Sequence, residues 1–296
     1  MSGSKRGSSD TSGLSLRRGY VHVGRAAAGL VVGAVAARCL LMAGEQLPKA
    51  VQTELTRSNH RGETVTLVPG SVLALAATAA GALTSGNRRV AAAAVVAGLG
   101  AGAAGLYDDI VGNRPEQKRD KGFAGHIRAL REGRLSAGLV KLIAIAGAGL
   151  FAGTLLKRKP IDSLLAAGVI AGTANLVNLL DLRPGRAIKA GLALGGTSLG
   201  GPGGAVAAGT VGAAAALLPE DLAERTMLGD AGANAMGALL GVTMAADSDR
   251  LAMLITLAGV VGLNAASERV SFTKVIESTP TLHQIDQWGR RPAAAA

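Results

Sequence analysis

Between Ala190 and Pro219 the chain runs thirty residues without one charged side chain. No other feature constrains the fold as strongly. A soluble domain carries roughly one charge in four residues, and its surface helices keep one polar face. Val90 to Tyr107 is likewise uncharged. A bilayer crossing needs about 20 mostly apolar residues. By that measure, spans are expected at about 24–44, 65–84, 89–107, 137–156, 161–178, 187–201, 203–218, 231–246 and 251–267. Gly200-Gly-Pro-Gly-Gly204 is the expected turn after the sixth.

Composition supports the same class. Of the 296 residues, 49% are hydrophobic, 17% are charged and only 2% are aromatic, with mean hydropathy +0.34. A large soluble core would have to be built from Ala, Val, Leu and Gly. The 43 glycines would weaken it further. An Ala-rich soluble α/β protein is the alternative, and the thirty uncharged residues count against it. The expected fold is an all-α, polytopic membrane helix bundle.

The net charge of +11 suits nucleic acid or an anionic membrane face. With almost no aromatics to stack on bases, the lipid bilayer is the expected partner and nucleic acid is not. The single Cys39 excludes an intramolecular disulfide and a Cys-based zinc site. Residues 1–22 read as a disordered polar tail without the apolar core and cleavage pattern of a signal peptide. The bundle then occupies 23–270, with a C-terminal tail at 271–296.

Basic residues set the orientation. The loop 108–136 holds Arg114, Lys118, Arg119, Lys121, Arg128, Arg131 and Arg134, which places it in the cytoplasm. Counting spans outward puts loops 45–64, 179–189 and 219–230 and the C-terminal tail on the same side. The turns SGNRR, LKRKP and ADSD fall opposite. Arg38 and Lys141 lie within spans.

With that parity, three polar motifs share the cytoplasmic side. Asp108 and Asp109 end one apolar run. NLVNLLD sets Asn175, Asn178 and Asp181 three apart, on one helix face. MLGDAGANAMG puts Asp230 at the start of a span. Ionisable residues at membrane depth are costly and usually functional. Carboxylates converging from three helix ends suit a hard cation, and Mg²⁺ is held by one or two carboxylates plus substrate phosphates. Each motif has a plainer reading as well: a solvated helix end, interhelical hydrogen-bond glue and an N-cap. Gly100, Gly102 and Gly105 fit the spacing GxGxxG, but they sit inside an apolar span with no preceding strand. Close helix packing, not dinucleotide binding, is expected there.

In order, these motifs resemble the polyprenyl-phosphate N-acetylhexosamine-1-phosphate transferases. The similarity runs from about Asn59 to the C-terminus. SNHRGETVTLVPG resembles the family's first cytoplasmic loop, LYDDI its paired-aspartate motif, and KGFAGHIRALREGRLSAGLVKL the segment that follows. NLVNLLD resembles its Asn-x-x-Asn-x-x-Asp motif, and LGDAG its Gly-Asp-x-Gly motif.

The resemblance implies about ten membrane helices in a bacterial plasma membrane. It also implies Mg²⁺-dependent transfer of a sugar-1-phosphate from a UDP-amino sugar to a polyprenyl phosphate, with release of UMP. By motif, Asp230 would bind the metal. Asp108 and Asp109 would serve the metal or the incoming phosphate. Asn175, Asn178 and Asp181 would line the nucleotide side. Lys121 and the other basic residues of 114–134 would attract phosphates, and His283 would contact substrate. A homodimer is among the expected assemblies.

The chain also departs from the family. Where the family continues with D-G-x-D-G, it reads Asp181-Leu-Arg-Pro-Gly-Arg186, without the second acid. The family's late His cluster is reduced to His283, and the Ser common after GDxG is Ala233. Pro-Gly is a turn signal, so Arg183 and Arg186 are expected at the cytoplasmic mouth. There they would either fork a phosphate or donor carboxylate, or anchor the helix at the membrane surface. The departures also leave open a non-catalytic member that binds lipid phosphate or nucleotide-sugar as a scaffold or regulator in cell-envelope synthesis.

Overall fold

The structure is a computed structural model. It describes residues 11–114, 116, 117 and 122–292, with the backbone alone for 11–20, 122–124, 126 and 127. The expected phosphate-attracting Lys121 lies outside the described residues.

Helix α1 spans Thr11–Gly44, so residues 11–22 of the expected tail are helical. A short α2 (Lys49–Glu54) leads into a hairpin of β1 (Thr56–Ser58) and β2 (Thr64–Thr66). Then come α3 (Val68–Thr84) and α4 (Arg88–Tyr107), which ends in a π-helical turn, Asp108–Gly112. They are followed by α5 (Gly122–Arg131), α6 (Ala137–Leu156), α7 (Pro160–Leu180), α8 (Arg186–Gly196) and α9 (Gly204–Leu222). The chain closes with α10 (Gly229–Asp247), α11 (Arg250–Ser267), α12 (Phe272–Ser278) and α13 (Pro280–Gln287).

Local chemistry sets these boundaries. The side chains of Asn87, Ser136 and Asp249 accept from backbone N–H groups in the first turns of α4, α6 and α11. Pro160 occupies the first turn of α7, where its missing N–H costs nothing. Gly185 lies between α7 and α8 at φ +71°, a conformation that suits glycine.

Six helices are long and apolar enough to cross a membrane by length and composition: α1 from Val21, α4 with its π turn, α6, α7, α9 and α11. The apolar α3 is shorter. The protein is thus an all-α bundle of a multi-pass membrane type. The span expected at 187–201 is corrected: α8 has only 11 residues, about 16 Å of helix. The turn after it completes the run to the far end, where Gly203 N–H donates 2.6 Å to Asp247 Oδ1.

Helix α10 lies at the centre. It packs on α3, α4, α7 and α9, and Met236, Leu239 and Leu240 are fully buried. Because small residues line most of its contacts, the backbones approach closely. Dispersion over these close contacts substitutes for the missing aromatics.

Helix ends sort into two groups. The C-terminal ends of α4 and α7 meet the N-terminal ends of α6 and α10 around one cavity. The N-terminal region of α1 lies at the other end, where the Arg25 guanidinium rests against Gly86.

Candidate functional site

The three acidic motifs open into one cavity of about 740 Å³. Asp108, Asp109, Asn175, Asn178, Asp181 and Asp230 all line it, with Arg57 and Lys141. Residues 122 positions apart in sequence thus share one space. Lys121 cannot be placed, and His283 is not among the residues lining this cavity.

Asp108 and Asp109 are neighbours with different tasks. Successive residues on a helix point about 100° apart, and the π turn starting at Asp108 changes that angle locally. Asp108 Oδ2 lies 2.6 Å from Lys141 Nζ. Asp109 turns instead to the start of α10. Its Oδ1 and Oδ2 accept from the backbone N–H groups of Asp230 at 3.1 Å and Ala231 at 2.9 Å. These are otherwise unpaired first-turn donors, and the helix dipole favours an anion there. Asp109, expected to serve a metal or incoming phosphate, lines the cavity while each of its oxygens accepts a bond from the start of α10. Arg57, from the hairpin, donates to the Asp109 backbone carbonyl.

Two glycines permit this join. A Cβ on Gly105 would stand 2.2 Å from the Asp230 carbonyl oxygen. Gly229 adopts φ +65°, and a Cβ there would meet Leu67 and the Asp109 carboxylate. The GxGxxG glycine at 105 is thus a packing residue, as expected.

Lys141 is the residue that sequence reasoning left in a span. Its ammonium lies 2.6 Å from Asp108 Oδ2 and 2.5 Å from Asp230 Oδ2. It sits one turn inside α6, largely buried, and ties α6 to α4 and α10. The available signal was a lone lysine in the apolar run AGLVKLIAIAGAGL, since such a charge needs a partner.

Asn175 and Asn178 differ in the same way as the aspartates. Asn175 Nδ2 donates 2.6 Å to Asn264 Oδ1 on α11, and Asn264 Nδ2 donates to the carbonyls of Gly172 and Val260. This is interhelical glue. Asn178 Oδ1 is buried with no hydrogen-bond partner among the described residues. An unpaired buried acceptor costs about 1–3 kcal/mol.

Asp181 follows the end of α7 and is half-buried. Burial, then the negative charges of Asp221, Asp230 and Asp109, raise its pKa well above the usual carboxylate value. One backbone hydrogen bond from Gly229 opposes them.

The expected mouth arginines separate. Arg183 is half-exposed and lines a small adjoining cleft with Asn59, His60, Asp181 and Glu224. Arg186 does not lie at the mouth. It is 4% exposed and pairs in a fork with Asp286 of α13, Nε to Oδ1 at 2.7 Å and Nη2 to Oδ2 at 3.0 Å. Its Nη1 also donates to Thr273 of α12. Arg290 adds a second guanidinium on Asp286, at 2.8 Å. Lys189 Nζ donates to the carbonyls of Ile285, Asp286 and Trp288, closing the C-terminal end of α13. The C-terminal segment is therefore fastened to α8. Burial works to raise Asp286, but Arg186, Arg290 and Lys189 outweigh it and hold the carboxyl below its usual range.

Two further acids escaped the sequence reading, although PEDLAERTMLGDAG displays both. Asp221 Oδ2 accepts from the Gly185 N–H at 2.6 Å, so it holds the Pro-Gly turn from α9. Glu224 is buried at φ +57°. Arg61 Nε lies 2.8 Å from its Oε2, which binds the SNHRGE hairpin loop to the approach of α10. Burial, with Arg183, Arg290 and Arg61 adding to it against the pull of Glu224, lowers the pKa of His60.

Among the described residues no group of three or more His, Cys, Asp or Glu side chains is arranged to hold a metal ion. Asp108 and Asp230 nevertheless direct carboxylate oxygens at one cation, the Lys141 ammonium. Two carboxylates are the protein share of a Mg²⁺ site completed by phosphates. These two carboxylates fit that share of the ion's ligands, with the lysine displaced.

No known family model matches the chain, and no curated protein matches it.

Proposed function

We propose that the chain is a Mg²⁺-dependent phosphoglycosyl transferase. It would move a sugar-1-phosphate from a UDP-amino sugar to a polyprenyl phosphate at the cytoplasmic face of a bacterial plasma membrane. The motif resemblance carries the reaction class. The observation that supports it most is Lys141 held between Asp108 and Asp230 on the wall of a cavity at one end of an apolar bundle.

The chemistry joins two anions. An oxygen of the lipid phosphate forms a bond to the β-phosphorus of the donor. The bond from that phosphorus to the bridging oxygen breaks, and UMP leaves with the electron pair. Bound Mg²⁺ would neutralise the pyrophosphate, and catalysis is then mainly positioning and charge stabilisation. Asp108 and Asp230 would hold the ion. Lys141, freed from them, would meet the phosphates as a point charge. Asp109 fixes the start of α10 and so the place of Asp230. Asn178 would line the donor side of the cavity. Asp181 lines the same cavity and would take the last proton from the lipid phosphate.

A second reading is a non-catalytic binder of lipid phosphate or nucleotide-sugar. The commitments of Asp109, Asn175 and Arg186 favour it, because these groups are held by the protein itself. Purified protein screened against UDP-sugars, with and without undecaprenyl phosphate and Mg²⁺, separates the two. UMP release that needs all three components supports the transferase. Binding of donor or lipid without UMP release supports the second reading and removes the first.

A further inference from the structure

The opposite end of the bundle holds a second cavity, of about 580 Å³, between α4, α6 and α7. Its walls include Leu150, Leu155 and Leu164, and its rim carries Arg89, Lys157 and Arg158. No carboxylate lines it. Asp162, close by in sequence, is bound by Arg250 at 2.5 Å. Lys157 Nζ donates 2.8 Å to the Ser248 carbonyl. The exposed Arg89 and Arg158 side chains have no hydrogen-bond or ion-pair partner among the described residues.

The charge here is dense. Arg88 and Arg89 open α4, and Lys157, Arg158 and Lys159 form the turn between α6 and α7. Cations at this end oppose the orientation bias expected from the basic loop 108–136. Beside the rim the surface is apolar: Leu150, Phe151, Ile161 and Leu164 are all exposed. A free anion would satisfy the arginines and leave the leucine wall wet. A neutral lipid would cover the wall and leave the arginines unneutralised. A molecule with an anionic head and apolar tails matches both.

We infer that this cavity binds the headgroup of an anionic phospholipid. The phosphate sits between Arg89 and Arg158, and the acyl chains run along Leu150 and Leu164. Guanidinium forks match phosphate oxygens in pairs, and basic pockets between membrane helices are suited to anionic lipid heads. The site lies at the far end from the acidic cavity and does not depend on the transfer reaction.

Delipidated full-length protein, titrated with phosphatidylglycerol, phosphatidylcholine or inorganic phosphate and read by native mass spectrometry, tests this. A one-to-one phosphatidylglycerol adduct is expected that equimolar inorganic phosphate does not displace. Arg89→Ala/Arg158→Ala should weaken that adduct about thirtyfold, in line with the contribution of two cations near an anionic surface. Lys49→Ala, at the other end of the bundle, should leave it unchanged. Unaltered thermal unfolding of the double variant in phosphatidylcholine confirms the fold. Arg158→Glu alone, on an exposed turn, supplies the same test if the double variant unfolds. Undiminished phosphatidylglycerol binding by these variants overturns the site, and so does equal binding of phosphatidylcholine. Displacement by inorganic phosphate overturns the lipid assignment.

Discussion

Lys141 Nζ stands 2.5 Å from Asp230 Oδ2, joining α6 to the start of α10 across 89 positions of sequence. The same ammonium reaches Asp108. One cation therefore balances two carboxylates that would otherwise repel. Removing one partner of a buried pair costs about 3–5 kcal/mol, because the remaining charge is left uncompensated. Lys141→Met should lose stability on that scale in a metal chelator. Millimolar Mg²⁺ should restore part of it, and should do so more than in the unaltered protein. Thermal unfolding with and without Mg²⁺ reads both effects. A variant as sensitive to Mg²⁺ as the parent would remove Asp108 and Asp230 from the metal site.

Asp109 caps the start of α10. Asp109→Ala should cost about 1–2 kcal/mol, the loss of a charged cap. Asp109→Asn keeps one acceptor oxygen and should recover part of that. Denaturant unfolding in detergent measures the difference. Equal stability of both variants and the parent would contradict the capping role.

The clamp of Arg186 on Asp286 should hold the C-terminal segment. Asp286→Ala strands a buried guanidinium and should cost about 3–5 kcal/mol, seen as faster proteolysis within 272–292. Arg186→Lys keeps the charge but loses the fork, and should free the segment partially. The pH dependence has a definite sign. The folded pKa of Asp286 lies below the unfolded one. Its contribution is therefore full above the ordinary carboxylate pKa and is lost as pH falls through the folded value. Resistance to proteolysis that is flat from neutral pH down to pH 3 would contradict this.

Asp181 should behave in the opposite way. Its folded pKa is raised by burial and by neighbouring acids. Stability then falls as pH rises from the usual carboxylate value through the folded one. Asp181→Asn removes that cost and should raise Tm at neutral pH, while activity drops by at least about 100-fold if Asp181 carries the proton. A lower Tm at neutral pH would show that its charge is compensated by groups other than those described above.

Much of the fold was legible because uncharged runs and helix length are local properties. Each of the nine expected spans contains a helix in the structure, but only six helices are long and apolar enough to cross a membrane; α10 is not among them, α3 in 65–84 is shorter, and shortest is α8 in 187–201. Its GGPGG turn was visible, but nothing local marked the early stop near Gly196. Counting parity also anticipated that Asp108, Asp181 and Asp230 would share one end. The individual tasks were not legible, because they depend on partners far away in sequence. Arg186 looked free for phosphate until Asp286, 100 residues later, was seen to claim it. Asp108 and Asp109 looked equivalent, yet one faces Lys141 and the other the α10 backbone. Lys141 itself looked like a residue of a span, since its two acids lie on other helices.

The most direct measurement uses a UDP-amino sugar labelled at the β-phosphate, incubated with purified protein, Mg²⁺ and undecaprenyl phosphate. The expected result is label in the organic phase as a lipid diphosphate sugar, with one unlabelled UMP released for each lipid labelled, and no transfer for Asp230→Asn. Label that stays in the aqueous phase for every donor tried, with the protein folded and lipid phosphate bound, would contradict the transferase and leave a binding protein.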